Sequence, residues 1–332
     1  MVQRANSFHV LQHDLLKVDY RKGSVDVYCD FVRAIMQSTK TPQYITKVWG
    51  QSISTWAVDL MANTKTSFSA SKVSPTPTLR FTVDGHLLRL HCVTFSEIIQ
   101  FGEYLDDNFY TGRFEESALH PVLETPGPYP TGHNVVEVLW RTLICDHDLE
   151  QHPARDSLSL SFRSWLTLEA MRAVGTSLQA GGTRSQHLLS MPSFDLLAGQ
   201  DPTSLVPTHA EIRQECDKAG LLEDHLEAEM YQCYPLTLAE RAYSYMTVVQ
   251  LRMNKSRLFR LASGHVGIGP KNIREGDVVC VVSDVTTPFV LRRIQHDQPN
   301  RCHLLGEAYV HGIMHGEAVD EMDIALTEYC IE

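Results

Sequence analysis

The sequence lacks the features that direct a chain into a membrane or out of the cell. Its first residues contain no apolar stretch between a basic start and a small-residue cleavage site, so they do not form a signal peptide. The longest apolar runs, such as Val278–Val282, are far too short to cross a bilayer. The sequence therefore predicts a cytoplasmic protein with no membrane span.

Positive charge and paired cysteines are also scarce. Lysine and arginine number 29 against 40 acidic residues, which gives a net charge of −11. Nucleic acids and anionic membranes are bound by clustered cations, so we do not expect nucleic acid as a partner. The eight cysteines contain no Cys-x-x-Cys pair. Their spacing suits neither a structural zinc site nor a dense disulfide framework, and buried, reduced thiols are expected.

The common catalytic and cofactor motifs are missing as well. The sequence contains no phosphate-binding P-loop, no Gly-x-Ser-x-Gly elbow and no His-Glu-x-x-His string. Its nearest approach to a nucleotide loop is Gly264-x-x-Gly267-x-Gly269, which does not lie between a strand and a helix. Tight turns of a small barrel explain these glycines better. We therefore expect no cofactor and no metal, which leaves chemistry driven by shape, hydrogen bonding and proton transfer.

What the sequence does contain is the patterning of a globular protein, with 43% apolar and 21% charged residues. Helical spacing of apolar residues occurs in five segments: 24–36, 135–145, 162–174, 209–224 and 236–255. Alternation on both sides of Asp84-Gly85 predicts a β-hairpin at 79–93. The chain is expected to return to helix at Phe95–Phe101. Ser, Gly, Thr and Pro dominate 175–208, which predicts a long surface loop or a partly ordered insertion.

The pattern changes after Arg257, where short β-rich segments alternate with Gly and Pro turns. Five strands are predicted, at 258–261, 265–268, 277–282, 288–292 and 302–313. Five short strands with tight turns are typical of a small antiparallel barrel. The predicted fold class is therefore α+β. A mostly helical body spans 1–256 and includes the hairpin, a small β-barrel spans 257–318, and a C-terminal tail spans 319–332.

Several sequence blocks in this β-rich region occur in a recognisable order: Gly264-His-Val-Gly-Ile-Gly-Pro270, Gly276-Asp277-Val-Val, Pro288-Phe-Val-Leu-Arg292 and Gly306-Glu-Ala-Tyr-Val-His-Gly-Ile-Met-His-Gly-Glu317. The series resembles the C-terminal region of fungal heterokaryon-incompatibility proteins. Upstream blocks similar to the same family follow its order at 19–28, 54–59, 81–101 and 140–146.

The family's N-terminal signalling domain should precede residue 1, and its motifs do not occur in their family order here. The Ser54–Asp59 block also departs from the family pattern, because it lacks a proline and a second tryptophan. We therefore expect a chain without the signalling domain. The resemblance implies that such a chain does not itself trigger the cell-death response attributed to that domain.

One candidate catalytic group lies in the last family block. Glu307, Tyr309 and His311 alternate along a predicted strand, so their side chains are expected to point to the same face. A carboxylate, a phenol and an imidazole together could transfer protons. Because the family pattern supplies these three residue types, the alternative is a shared hydrogen-bond network that braces the barrel.

A second candidate group, a ligand pocket, lies in the predicted helices. Trp140, Arg141 and Trp165 could line a pocket between helices and barrel. The alternative is structural: the tryptophans are buried core residues, and Arg141 forms a salt bridge with Asp146. In either case we expect Trp140 and Trp165 to be largely buried.

Two functions are compatible with these observations. The first, which the size and core patterning of the chain favour, is binding of a small apolar molecule, with cofactor-independent cyclase or isomerase activity in a fungal secondary-metabolite pathway. The alternative is a protein-recognition or regulatory module related to heterokaryon incompatibility, without catalytic activity. The expected partner is accordingly either a small apolar metabolite or another protein.

Overall fold

The computed structural model describes residues 19–39, 81–84, 87–103, 119, 121, 122, 124, 128–148, 150–179, 192–220, 236–253, 256–282, 285, 287–295, 298–317 and 326–332. The chain divides into two compact units. The first, here called the barrel unit, comprises residues up to 100 together with 261–263 and 269–332. The second, the helical unit, comprises residues 101–260 and 264–268. This division differs from the boundaries expected at 256/257 and 318/319.

Helices and strands both occur throughout the described residues, as an α+β fold requires. In chain order the elements are α1 (Ser24–Thr39), β1 (Phe81–Asp84), β2 (Leu87–Phe101), α2 (Val135–Leu143), α3 (Leu158–Gln179), α4 (Pro192–Gly199), α5 (His209–Lys218), α6 (Leu236–Met253), β3 (Ser256–Leu261), β4 (Val266–Pro270), β5 (Val278–Val282), β6 (Phe289–Gln295), β7 (Gln298–Glu307), β8 (Tyr309–Val310) and β9 (Thr327–Ile331). Among the described residues, no helix has both the length and the apolar character that a bilayer crossing demands.

Five strands of the barrel unit close into a ring. Antiparallel pairing joins β2 to β5, β5 to β6 and β6 to β7, and it also joins β9 to β2. The fifth junction, β7 with β9, is parallel. Because every strand of the ring pairs on both sides, the barrel has no open edge. The expected five-stranded barrel is confirmed, with one parallel junction where only antiparallel ones were predicted.

The interior of the barrel is filled by apolar side chains. Alternate residues of each strand point inward, and they form one buried cluster with the apolar side of α1. Its members are Cys29, Val32, Met36, Leu88, Leu90, Cys92, Val278, Cys280, Val282, Val285, Phe289, Leu291, Cys302, Leu304, Tyr329 and Ile331. A five-stranded barrel is narrow enough for side chains alone to fill it.

The strands of the ring are not those that the sequence analysis assigned. The expected strands at 258–261 and 265–268 exist as β3 and β4, but they do not belong to the closed ring. Their places are taken by β2 and by β9, which lies in the segment expected to be a tail. Long-range pairing of this kind leaves no local sequence signal, because it depends on which strand edges remain free.

The prediction of helix at Phe95–Phe101 is wrong, because this segment is the second half of β2. Ser96 pairs with Val279 and Glu97 with Val278, after a register shift that follows Thr94. The predicted hairpin is confirmed, since Phe81–Asp84 pairs with the start of β2.

The helices follow the sequence prediction more closely. Helices cover most of each predicted helical segment. The expected loop at 175–208 instead contains the end of α3 and the whole of α4. Within α5, Thr208 and Glu211 form a capping box, in which the side chain of each residue accepts a hydrogen bond from the backbone N–H of the other. The family-like block at Ser54–Asp59 lies outside the described residues.

Barrel closure by β9 gives the first prediction. Ile331 is fully buried inside the ring, so Ile331→Ala should lower the free energy of unfolding by about 2–5 kcal/mol. Glu328→Ala on the same strand removes only surface contacts of the carboxylate with Arg89 and His91, and it should cost less than about 1 kcal/mol. Urea denaturation of both variants measures the difference. Equal destabilisation would mean that β9 is not part of the folding core.

Candidate functional site

The residues Glu307, Tyr309 and His311 lie at a break between two strands. β7 ends at Glu307, and the backbone N–H of Ala308 turns away to donate to Pro288 O at 2.9 Å. Tyr309 begins the two-residue β8, and His311 lies in the turn that follows. The three residues therefore do not alternate along a single continuous strand, as the sequence pattern suggested.

The structure brings Tyr309 and His311 together in the barrel unit. The Tyr309 hydroxyl and the Nδ1 atom of His311 are hydrogen-bonded at 3.1 Å. Glu307, Tyr309 and His311 are only 3%, 2% and 4% exposed, respectively. His315, four residues beyond His311, is by contrast exposed, so the two histidines lie in different environments.

This burial limits what the group can do chemically. A phenol and an imidazole in contact can exchange a proton, but a general acid or base must also reach the proton of a substrate. Polar groups this deeply buried are normally held in hydrogen-bond networks, and such networks fix the geometry around them. The geometry of Tyr309 and His311 therefore favours a bracing role at the end of β7.

The two tryptophans of the helical unit lie in its core, as predicted. Trp140 and Trp165 are 2% and 0% exposed. Trp165 packs against the rings of Phe162 and Tyr245, with centroids 6.0 and 5.5 Å away. The Tyr245 hydroxyl donates a hydrogen bond to the Trp140 carbonyl at 2.8 Å. Burial raises the pKa of Tyr245 well above its ordinary value, so this hydroxyl remains a donor.

Arg141 lies at the centre of a cluster of carboxylates. Its guanidinium donates to Asp146 at 2.7 Å, to Glu137 at 3.0 Å and to Asp156 at 2.5 Å. It also stacks over the ring of Trp140, 4.3 Å from the centroid. Burial by itself would lower the pKa of Arg141, but the hydrogen bond to Asp146 and the other carboxylates outweigh it and raise that pKa. The predicted salt bridge between Arg141 and Asp146 is confirmed.

The turn after α2 contains a carboxylate that sequence reasoning missed. Cys145 and Asp146 both adopt left-handed backbone conformations, with φ values of 53° and 49°. Asp148 then accepts hydrogen bonds from three backbone N–H groups of the turn and from the Arg155 side chain at 2.7 Å. Burial alone would raise the pKa of Asp148, but these hydrogen bonds lower it to about 2.

Sequence reasoning also missed an ion pair, which links two of the blocks that resemble the family. Arg292 donates through two nitrogens to the buried carboxylate of Asp277, both at 2.8 Å, and it also reaches the Asn272 carbonyl. Asp277 in turn accepts a hydrogen bond from the backbone N–H of Arg274. The sequence did contain a signal for this pair, because Asp277 and Arg292 lie in two consecutive blocks that resemble the same family. Its bidentate geometry fixes the loop before β5 against β6.

Comparisons with known proteins agree with the resemblance seen in the sequence. Residues 212–325 match the Het-6 beta-barrel domain. The Neurospora crassa heterokaryon incompatibility protein 6, OR allele, is 35% identical over 82 residues, which cover 24% of this chain. The aligned segment spans only 12% of that protein's length. No solved structure matches the chain.

The aromatic core of the helical unit gives a second prediction. Trp165→Ala should lower the free energy of unfolding by about 3–5 kcal/mol, because it leaves a cavity beside Phe162 and Tyr245. Tyr243→Ala is the matched control, since Tyr243 is 64% exposed and its loss should change stability by no more than about 0.5 kcal/mol. Guanidinium melts compare the two. A Trp165→Ala cost below about 1 kcal/mol would show that Trp165 is not a core residue.

The lowered pKa of Asp148 predicts a pH dependence of stability. A carboxylate with a folded-state pKa of about 2 stabilises the fold at pH values above its unfolded pKa. That contribution, on the order of 2 kcal/mol, disappears as pH falls from about 4 to about 2. Asp148→Asn should therefore be less stable than the wild type at pH 7, and the difference should shrink over that range. A difference that does not change with pH would exclude this role.

Proposed function

From the Het-6 beta-barrel domain that residues 212–325 carry, we propose that this chain is a protein-recognition or regulatory module related to heterokaryon incompatibility, without catalytic activity. The matched range includes β5, β6 and β7 of the closed barrel. The observation that carries the proposal is the filled interior of that barrel. A barrel whose interior is occupied by its own side chains offers its outer surface and loops for recognition.

The packing of the barrel supports a surface-based role. The inner faces of all five ring strands belong to one buried apolar cluster, to which α1 adds three side chains. Barrels that hold a ligand inside need a wider lumen or smaller inward side chains. Here large residues such as Phe289 and Tyr329 point inward. Any partner therefore meets this barrel from outside.

The burial of the polar candidates supports the same proposal. Glu307, Tyr309 and His311 lie within the barrel unit, each less than 5% exposed. A substrate would need access to them, whereas a bracing network needs only contact among protein groups. The Asp277–Arg292 pair is a similar brace at the loop before β5.

The second reading is binding of a small apolar molecule, with cyclase or isomerase activity. This hypothesis rests on the size and core patterning of the chain. No contact of the candidate residues supports it. Trp140 and Trp165 would serve it as pocket walls, yet their rings and carbonyls take part in contacts within the core. We therefore adopt the hypothesis that the chain is a recognition module.

A bracing role for His311 is directly testable. His311→Ala removes the hydrogen bond with the Tyr309 hydroxyl and leaves space in a buried region, so it should cost about 1–3 kcal/mol of stability. Glu275→Ala, at an exposed position of the same unit, should change stability by no more than about 0.5 kcal/mol. Thermal and urea melts compare the variants. An unchanged melting temperature for His311→Ala would contradict bracing and restore a functional role for the imidazole.

The recognition role itself is tested with a defined partner. Purified chain is titrated calorimetrically against a purified full-length heterokaryon-incompatibility protein from the same organism, with the Trp165→Ala variant as a fold-dependent control. We expect saturable binding that the destabilised control weakens. In parallel, thermal shift measures stabilisation by apolar polyketides and terpenoids. Saturable stabilisation by one such compound, without binding of the protein, would favour the second reading instead.

A further inference from the structure

Three strands of the ring each place one thiol in the barrel interior. Cys92 lies on β2, Cys280 on β5 and Cys302 on β7, and all three are buried, free cysteines. All three belong to the apolar cluster that fills the barrel. A fourth buried thiol, Cys29 of α1, belongs to the same cluster, whose other members are hydrophobic side chains.

Two of these thiols face each other across the junction that closes the ring. Cys92 pairs in register with Val282, and Cys280 pairs with Thr94. Cys92 and Cys280 are therefore diagonal neighbours on the same inward face. The two thiols are hydrogen-bonded to each other, and that bond together with burial raises the pKa of Cys92 well above its ordinary value. Cys302 lies on β7, which β6 separates from β5 in the ring, and burial raises its pKa to about 12.

Strand geometry sets what a bond between these sulfurs requires. Diagonal neighbours have Cα atoms about 7–8 Å apart, whereas disulfides usually join Cα atoms about 4.4–6.8 Å apart. For a disulfide to form, the Cα atoms of Cys92 and Cys280 must therefore come closer by roughly an ångström or two. The register shift between Thr94 and Ser96 lies next to this position, and an irregular ladder is where such a movement costs least.

We propose that Cys92 and Cys280 form a redox-sensitive pair whose disulfide locks the β2–β5 junction. Because both thiols are buried, they react only when the junction opens locally, so the pair responds to sustained rather than brief oxidation. The lock joins β2 covalently to a strand far away in the sequence. It thereby restrains the unfolded chain over a long loop and stabilises the closed ring.

The oxidant that the reaction needs is a hydroperoxide such as hydrogen peroxide. One thiol takes an oxygen atom from the peroxide, which gives a sulfenic acid and releases water. The second thiol attacks the sulfenic sulfur, a second water leaves, and the S–S bond forms. Two thiols have then lost two electrons and two protons, and one peroxide has become two waters. Dithiothreitol reverses the change by thiol–disulfide exchange.

The test uses the full chain, treated with hydrogen peroxide under native conditions over hours. Free thiols are then blocked with N-ethylmaleimide after unfolding, and the unreduced digest is mapped by mass spectrometry. The partly exposed Cys330 reports within the same sample that the oxidant has acted. We expect a peptide linked through Cys92 and Cys280, and a melting temperature several degrees higher that dithiothreitol returns to the starting value. Cys302→Ala should keep both effects, whereas Cys92→Ala should lose both.

Three results would overturn the proposal. The first is recovery of Cys92 and Cys280 as blocked free thiols from samples in which Cys330 is oxidised. The second is a dominant link from Cys280 to Cys302. The third is a linked Cys92–Cys280 peptide with an unchanged or lowered melting temperature. The first two results need only the wild-type chain, so they remain decisive even if a cysteine variant folds poorly.

Discussion

The pairing of β2 with both β5 and β9 is the constraint on which the barrel depends. β2 comes from residues 87–101, whereas the other ring strands lie beyond residue 277. Without β2 the remaining strands would form an open sheet with two free edges, and their inward side chains would lose one wall. Closure therefore couples distant parts of the chain in one cooperative core. The apolar side of α1, which lies well before β2 in the sequence, belongs to the same cluster.

The side chains that fill the barrel leave little room in its interior for anything else. A closed ring of five strands has room for little besides its own residues, and here these residues are aliphatic, aromatic or cysteine. The polar residues that looked catalytic lie buried at the break between β7 and β8, where Tyr309 and His311 contact each other. The proposal that a partner binds the outer surface rests on this division between a filled interior and a braced strand end.

Arginine–carboxylate pairs hold the irregular segments of both units. Arg141 binds the turn after α2 through Asp146, and Arg292 binds the loop before β5 through Asp277. In both cases the carboxylate is buried and the guanidinium supplies several donors at once. Removing one partner of such a pair leaves an uncompensated charge, which is why these contacts specify geometry more than they add net stability.

The sequence by itself determined every described helix except α4, the hairpin at β1 and β2, the burial of Trp140 and Trp165, and the existence of a five-stranded barrel. These depend on local periodicity and turn residues, which a single sequence displays. Only the tertiary structure decided that Phe95–Phe101 is strand, that β9 completes the ring, and that Glu307 and His311 lie on either side of a strand break. Strand pairing and burial are set by partners far away in the chain, and local patterns contain no record of which free edge a strand will meet.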